Sequence, residues 1–167
     1  MQLTHYNCKF KKQKFPITLV CDNVTNAPNL GSILRIADAF GIEGVVFCGK
    51  SIQLGKRMKK TSRSTEKYVT HRIEDDILKV IDSLKSDDYY LVALEITEDS
   101  QLLYNFKLQT KQPLALIIGN ENFGISNQIL NKVDKSIHIN MYGENTSMNV
   151  AQATAITLYE LTKQIKS

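Results

Sequence analysis

Ile137-His138-Ile139-Asn140-Met141 runs into Tyr142-Gly143-Glu144-Asn145-Thr146-Ser147-Met148-Asn149, and then into a long Ala-rich helical pattern reaching Leu161. An apolar strand, a polar loop and a helix start in immediate succession form a ligand-binding corner of an α/β protein. The unpaired N–H groups of a helix N-terminus meet the ends of the strands there. The same construction occurs twice more upstream, before Asn29 and after Gly119.

Working outward, strands are predicted at about Thr18–Asp22, Gly44–Cys48, Tyr68–His71, Tyr90–Glu95, Leu114–Gly119 and Ser136–Asn140, each bounded by polar or turn residues. Helical spacing fills the gaps. Leu30, Ile33, Leu34 and Ala37 form one i, i+3, i+4, i+7 stripe, and Ile77, Val80, Ile81 and Leu84 form another. Alternating β and α elements predict a mostly parallel six-stranded sheet with helices on both faces, and a site beyond the C-terminal ends of its strands.

A length of 167 residues suits one ordinary domain, so a single domain over 1–167 is expected. Apolar runs such as Ile17–Cys21 and Leu114–Ile118 are far too short to span a bilayer. The start carries no apolar signal-peptide region, so a soluble, cytoplasmic protein with no membrane partner is expected. Cys8, Cys21 and Cys48 lack metal-ligand spacing, and Cys21 and Cys48, in apolar strand-like runs, read as structural thiols; no metal is expected. The net charge of +4 is unevenly spread. Lys9, Lys11, Lys12 and Lys14 cluster in a basic N-terminal segment (1–16), and Lys56, Arg57, Lys59, Lys60 and Arg63 cluster downstream. Two basic patches suit a polyanionic partner, although solvated surface lysines give the same pattern.

Asn29, which follows Asn26-Ala27-Pro28, reads as the cap of the first helix. On that helix Arg35 stands about 140° from Leu30 and about 100° from Leu34, turned away from the buried stripe. It is either a surface residue paired with Asp38 or a phosphate-binding group at the site mouth. In Gly119-Asn120-Glu121-Asn122-Phe123-Gly124-Ile125-Ser126 the glycines permit close backbone approach, Glu121 is a loop carboxylate, and Ser126 is a candidate N-cap. Ser147 or Asn149 is expected in the first turn of the last helix. That helix has a polar stripe of Asn149, Gln152, Glu160 and Lys163, interrupted by Ile156, with apolar residues in the other directions. Such a helix suits a subunit interface or the middle of one core.

The chain has no G-x-G-x-x-G after its first strand, no P-loop, no H-E-x-x-H and no serine nucleophile elbow, so dehydrogenase and kinase readings lose their support. His5, His71 and His138 are scattered and read as structural or surface residues.

Three segments taken together are informative: Asn29-Leu30-Gly31-Ser32-Ile33-Leu34-Arg35 with Phe40-Gly41, Ile118-Gly119-Asn120-Glu121 with Gly124-Ile125-Ser126, and Ser147-Met148-Asn149-Val150 with Leu158-Tyr159-Glu160. They resemble, in order, the three motifs of the SpoU (TrmH) family of RNA ribose 2′-O-methyltransferases in the SPOUT superfamily. The resemblance covers about Val20 to Leu161. It implies a C-terminal deep trefoil knot over about 90–161, a homodimer, and S-adenosylmethionine held in the knot by loop backbone that includes Leu94, Gly119, Ile139 and Met148, with Ser147. Asn29, Arg35, Glu121, Ser147 and Asn149 are the implied catalytic set. Arg35 is its centre, binding phosphate and stabilising the developing alkoxide, since a guanidinium with a pKa above about 12 is a poor base. RNA, either tRNA or rRNA, is the implied substrate. Lys9, Lys11, Lys12, Lys56, Arg57, Lys59, Lys60 and Arg63 are the implied contacts, because no separate RNA-binding domain accompanies the motifs. Asn140 departs from the family pattern, standing where a proline is usual, which bears on loop rigidity. Two other readings stay open: a non-catalytic RNA binder on the same fold, and a small flavodoxin-like nucleotide binder.

Overall fold

The computed structural model describes residues 10–166. In chain order the elements are β1 (Phe15–Asp22), α1 (Ala27–Ala39), β2 (Ile42–Cys48), α2 (Lys56–Ser62), β3 (His71–Glu74), α3 (Ile77–Ser86), β4 (Tyr90–Leu94), β5 (Gln101–Leu102), β6 (Leu114–Ile118), α4 (Asn127–Leu130), β7 (Lys135–His138) and α5 (Val150–Lys166). The sheet is wholly parallel with the order β3-β2-β1-β6-β4-β7-β5. It has seven strands, not the six expected. The additional strand, β5, pairs only Gln101 and Leu102 with β7, too few residues to leave a periodic signal.

The third strand is also displaced. Thr65–Lys67 form a 3-10 turn, the Tyr68 N–H donates to the Thr65 carbonyl, and pairing with β2 starts only at His71. Alternation explains the apolar strands. Ile17, Leu19 and Cys21 of β1 face one layer with Leu30, Ile33 and Leu34 of α1 and Leu158 and Leu161 of α5. Val20, Val46 and Cys48 face the opposite layer with Val80, Ile81 and Leu84 of α3. Burial on both faces is what a parallel sheet with covering helices requires. Truncating a fully buried side chain such as Leu34 to alanine costs about 2–5 kcal/mol.

Helix α1 packs against α2 at Gly31, where a Cβ would meet the Met58 carbonyl oxygen at 2.5 Å and the Thr61 Cβ at 2.7 Å. Only glycine permits that approach, and it fixes the basic helix α2 beside the start of α1. The cap of α1 is Asn26, whose side chain accepts from the Asn29 N–H; Asn29 is therefore inside the first turn and 8% exposed. Pro28 explains the shift, because proline is tolerated in the first turn, where the N–H is unpaired anyway. Helix α5 buries one face through Ala151, Thr154, Thr157, Leu158, Leu161 and Thr162, and leaves Ile156 and Tyr159 exposed.

Candidate active site

Order reverses around the middle of the sheet: β1 to β3 run outward on one side, and β6 lies between β1 and β4. The loops after β4, β6 and β7 leave the same C-terminal edge and enclose a cleft of about 1040 Å³, at the place where α/β sheets bind ligands.

The loop after β6 is rigid for local reasons. Asn120 and Gly124 exchange both backbone hydrogen bonds, and the Asn120 side-chain carbonyl accepts from the N–H groups of Asn122 and Phe123 at 2.8 and 3.2 Å. The Asn120 amide donates to the Asn23 carbonyl at 2.8 Å, tying this turn to the end of β1. Gly124 has φ +63°, a backbone conformation that favours glycine, and a Cβ there would meet a Glu95 carboxylate oxygen at 2.5 Å and displace that side chain. Glu95, just beyond β4, accepts from its neighbour Ile96 N–H at 3.0 Å and from Ile125 N–H at 2.9 Å. The two walls of the cleft are thus latched by one carboxylate.

A hydrogen-bonded chain crosses three loops. The Asn149 amide donates to the Asn29 side-chain oxygen at 3.0 Å, and the Asn29 amide donates to Glu121 at 2.6 Å. The Asn149 side-chain oxygen also accepts from Ala151 and Gln152 N–H at 2.9 and 3.3 Å, capping α5. Because Asn149 donates with its nitrogen and caps with its oxygen, its orientation is fixed from both ends, and so is that of Asn29.

Among the described residues, three carboxylates, Glu95, Glu98 and Glu121, line the cleft, and no lysine or arginine does. His138 also lines it, with Nδ1 2.9 Å from the Ser100 hydroxyl. Beneath the edge, burial raises the Asp22 carboxyl above its usual range against the opposing hydrogen bond from Asn23. Burial likewise pushes the Cys21 thiol well up and the Cys48 thiol to about 12, which leaves both protonated and inert at neutral pH.

The SpoU rRNA Methylase family profile matches residues 16–159. The chain belongs to this family. Among relatives of this SpoU protein, a 23S rRNA (guanosine-2′-O-)-methyltransferase, RlmB, of Blochmanniella floridana is 30% identical over 165 residues, covering 98% of this chain and 63% of that one. Among solved structures, the A. aeolicus TrmH/SpoU tRNA modifying enzyme superposes with a TM-score of 0.81 at 30% identity, over 93% of this chain and 78% of that one. The SpoU methyltransferase AviRb from Streptomyces viridochromogenes, in complex with the cofactor AdoMet, gives 0.80 at 28% identity, over 90% and 58%. The chain spans about three fifths of the length of the curated relatives it matches.

In this SpoU family member Leu94, Gly119, Ile139, Ser147 and Met148 all line the cleft, as do Glu121 and Asn149. Asn29 joins them through its hydrogen bonds. Arg35 does not: it is exposed on α1, six residues or about 9 Å along the helix from Asn29, and no ion pair joins it to Asp38 among the described residues. Lys56, Arg57, Lys59, Lys60 and Arg63 are exposed on and just after α2, outside the cleft. Lys11 and Lys12 are exposed, and Lys9 lies outside the described residues, with Cys8 and His5. The Ser126 hydroxyl makes no capping hydrogen bond, although Ser126 occupies the cap position of α4.

The latch of Glu95 and the lock of Asn120 were not anticipated. A polar residue at the C-terminal end of a strand and an asparagine two and three residues ahead of the N–H groups it binds are the signals for them. No helix among the described residues is long and apolar enough to cross a membrane, and no group of three or more His, Cys, Asp or Glu among them could hold a metal ion.

Proposed function

We propose that the chain transfers a methyl group from S-adenosylmethionine to a ribose 2′-hydroxyl of RNA. The observation that carries the proposal, beyond family membership, is the charge of the cleft. A pocket for the phosphates of a flavin or dinucleotide calls for cationic side chains, whereas this one, although the Asn149-capped start of α5 borders it, has three carboxylates and no lysine or arginine among the described residues. That lining fits the sulfonium and ammonium of the methyl donor, and the volume suits a ligand of nucleoside size. The donor supplies an electrophilic methyl group.

Leu94, Gly119, Ile139, Ser147 and Met148 hold the donor; Gly119 can do so only through backbone. The Asn149–Asn29–Glu121 chain braces the loop walls and keeps the Asn29 amide in one orientation. Arg35 binds the phosphate beside the target nucleotide and stabilises negative charge developing on its 2′-oxygen. Since Arg35 is exposed outside its own cleft, it serves the cleft of a second copy in a homodimer, with Ile156 and Tyr159 of α5 available to the contact. Lys11, Lys12 and the α2 cluster, with Lys9, hold the RNA backbone of a tRNA or rRNA. One cytoplasmic domain over 1–167, with the chain threaded as a trefoil knot over about 90–161, completes the reading. Support for the threading is the insertion of β6 between β1 and β4 together with the joining of the three loops over β4.

Tritiated methyl incorporation from S-adenosylmethionine into RNA from cells lacking the gene tests the proposal. Label in a 2′-O-methylnucleoside supports it. Salt-sensitive RNA binding with no incorporation would instead establish the non-catalytic binder.

A further inference from the structure

Phe123 is 88% exposed on the rim of the cleft, an unusual place for an apolar ring. Its position is not the result of a loose loop. The turn that carries it is closed by the paired Asn120–Gly124 hydrogen bonds, by the Asn120 side chain accepting from the Phe123 N–H itself, and by the anchor to Asn23. Glu121, in the same turn, is hydrogen-bonded to Asn29, so the ring is mounted two residues, at most about 7 Å of chain, from the hydrogen-bonded chain of the site. The cost of exposing a rigid aromatic face is recovered when something flat covers it.

Resting on the methyl-transfer reading, we infer that Phe123 is a substrate-binding residue on which a base of the RNA stacks, at the target nucleotide or its neighbour. A base suits the site better than a phosphate does, because Glu95, Glu98 and Glu121 line the same cleft with negative charge while a stacked base is neutral. A ribose 2′-hydroxyl reaches a recessed cleft only when its nucleotide leaves the helical stack, and an aromatic platform replaces the stacking that is lost. The same ring sets a preference for unpaired targets.

The sequence contains no tryptophan, so Phe123→Trp introduces a single fluorophore at this position. Titrating that variant with total RNA from cells lacking the gene is expected to quench and shift the emission. Phe123→Ala is expected to raise KM for RNA about tenfold, with S-adenosylmethionine affinity unchanged. Emission indifferent to RNA would overturn the inference. So would quenching by S-adenosylmethionine alone, which makes the ring a cover for the donor, or quenching that follows protein concentration without RNA, which makes it a contact between copies. The readout is separable from the methyl-transfer reading: quenching by RNA without methylation sinks only the latter, and methylation without quenching sinks only the former.

Discussion

The cleft and the surface beside it are opposites in charge. Among the described residues, the walls after β4 and β6 present Glu95, Glu98 and Glu121 and no lysine or arginine, whereas α2 and its C-terminus present five exposed basic residues, and Arg35 is exposed on the adjacent helix. Close packing at Gly31 keeps the two regions in register. On the proposed reading, the basic surface would hold the polyanion while the acidic cleft beside it would favour a cationic donor over a phosphate.

Arg35→Ala gives the largest break in this comparison. Turnover is expected to fall by at least a hundredfold with S-adenosylmethionine binding unchanged, measured by single-turnover methylation and calorimetry. Glu95→Ala is expected to weaken donor binding about tenfold, since the N–H groups of Ile96 and Ile125 lose their acceptor and the walls part. Calorimetry checks it, and unchanged RNA affinity separates it from unfolding. Lys59→Gln with Lys60→Gln is expected to lower RNA affinity severalfold and to flatten the slope of log affinity against log salt by roughly 1.5, leaving donor affinity alone.

The smallest effect concerns Asp22. Its folded pKa is raised by burial, so the ionised carboxylate destabilises the fold at neutral pH, and the penalty fades as pH falls through the raised value. Asp22→Asn is therefore expected to raise Tm slightly at pH 7, with the difference vanishing below the ordinary aspartate range; thermal melts at several pH values check it.

Much of this architecture is legible from local pattern. Leu30, Ile33, Leu34 and Ala37 are buried as their spacing requires, and the three polar loops do meet at one edge. What escapes local reading is decided by long-range contacts. β5 exists only because β7 lies beside it, and Asn29 is buried beneath Glu121 and Asn149, residues 92 and 120 positions away. The Arg35 angle around α1 correctly puts it outside the buried stripe, yet periodicity carries no information about what an exposed arginine meets. Glu95 looks like the last residue of a strand until Ile125 arrives from a different loop.

An acidic cleft that serves a methyl donor, with a basic surface that delivers an RNA ribose to it, would leave its mark on the RNA. The direct measurement is mass spectrometry of nucleosides from RNA of the gene-deleted strain, after incubation with purified protein and S-adenosylmethionine carrying a deuterated methyl group. The heavy methyl group is expected on a ribose 2′-oxygen. A heavy methyl group on a base alone, or on no nucleoside at all, would contradict it.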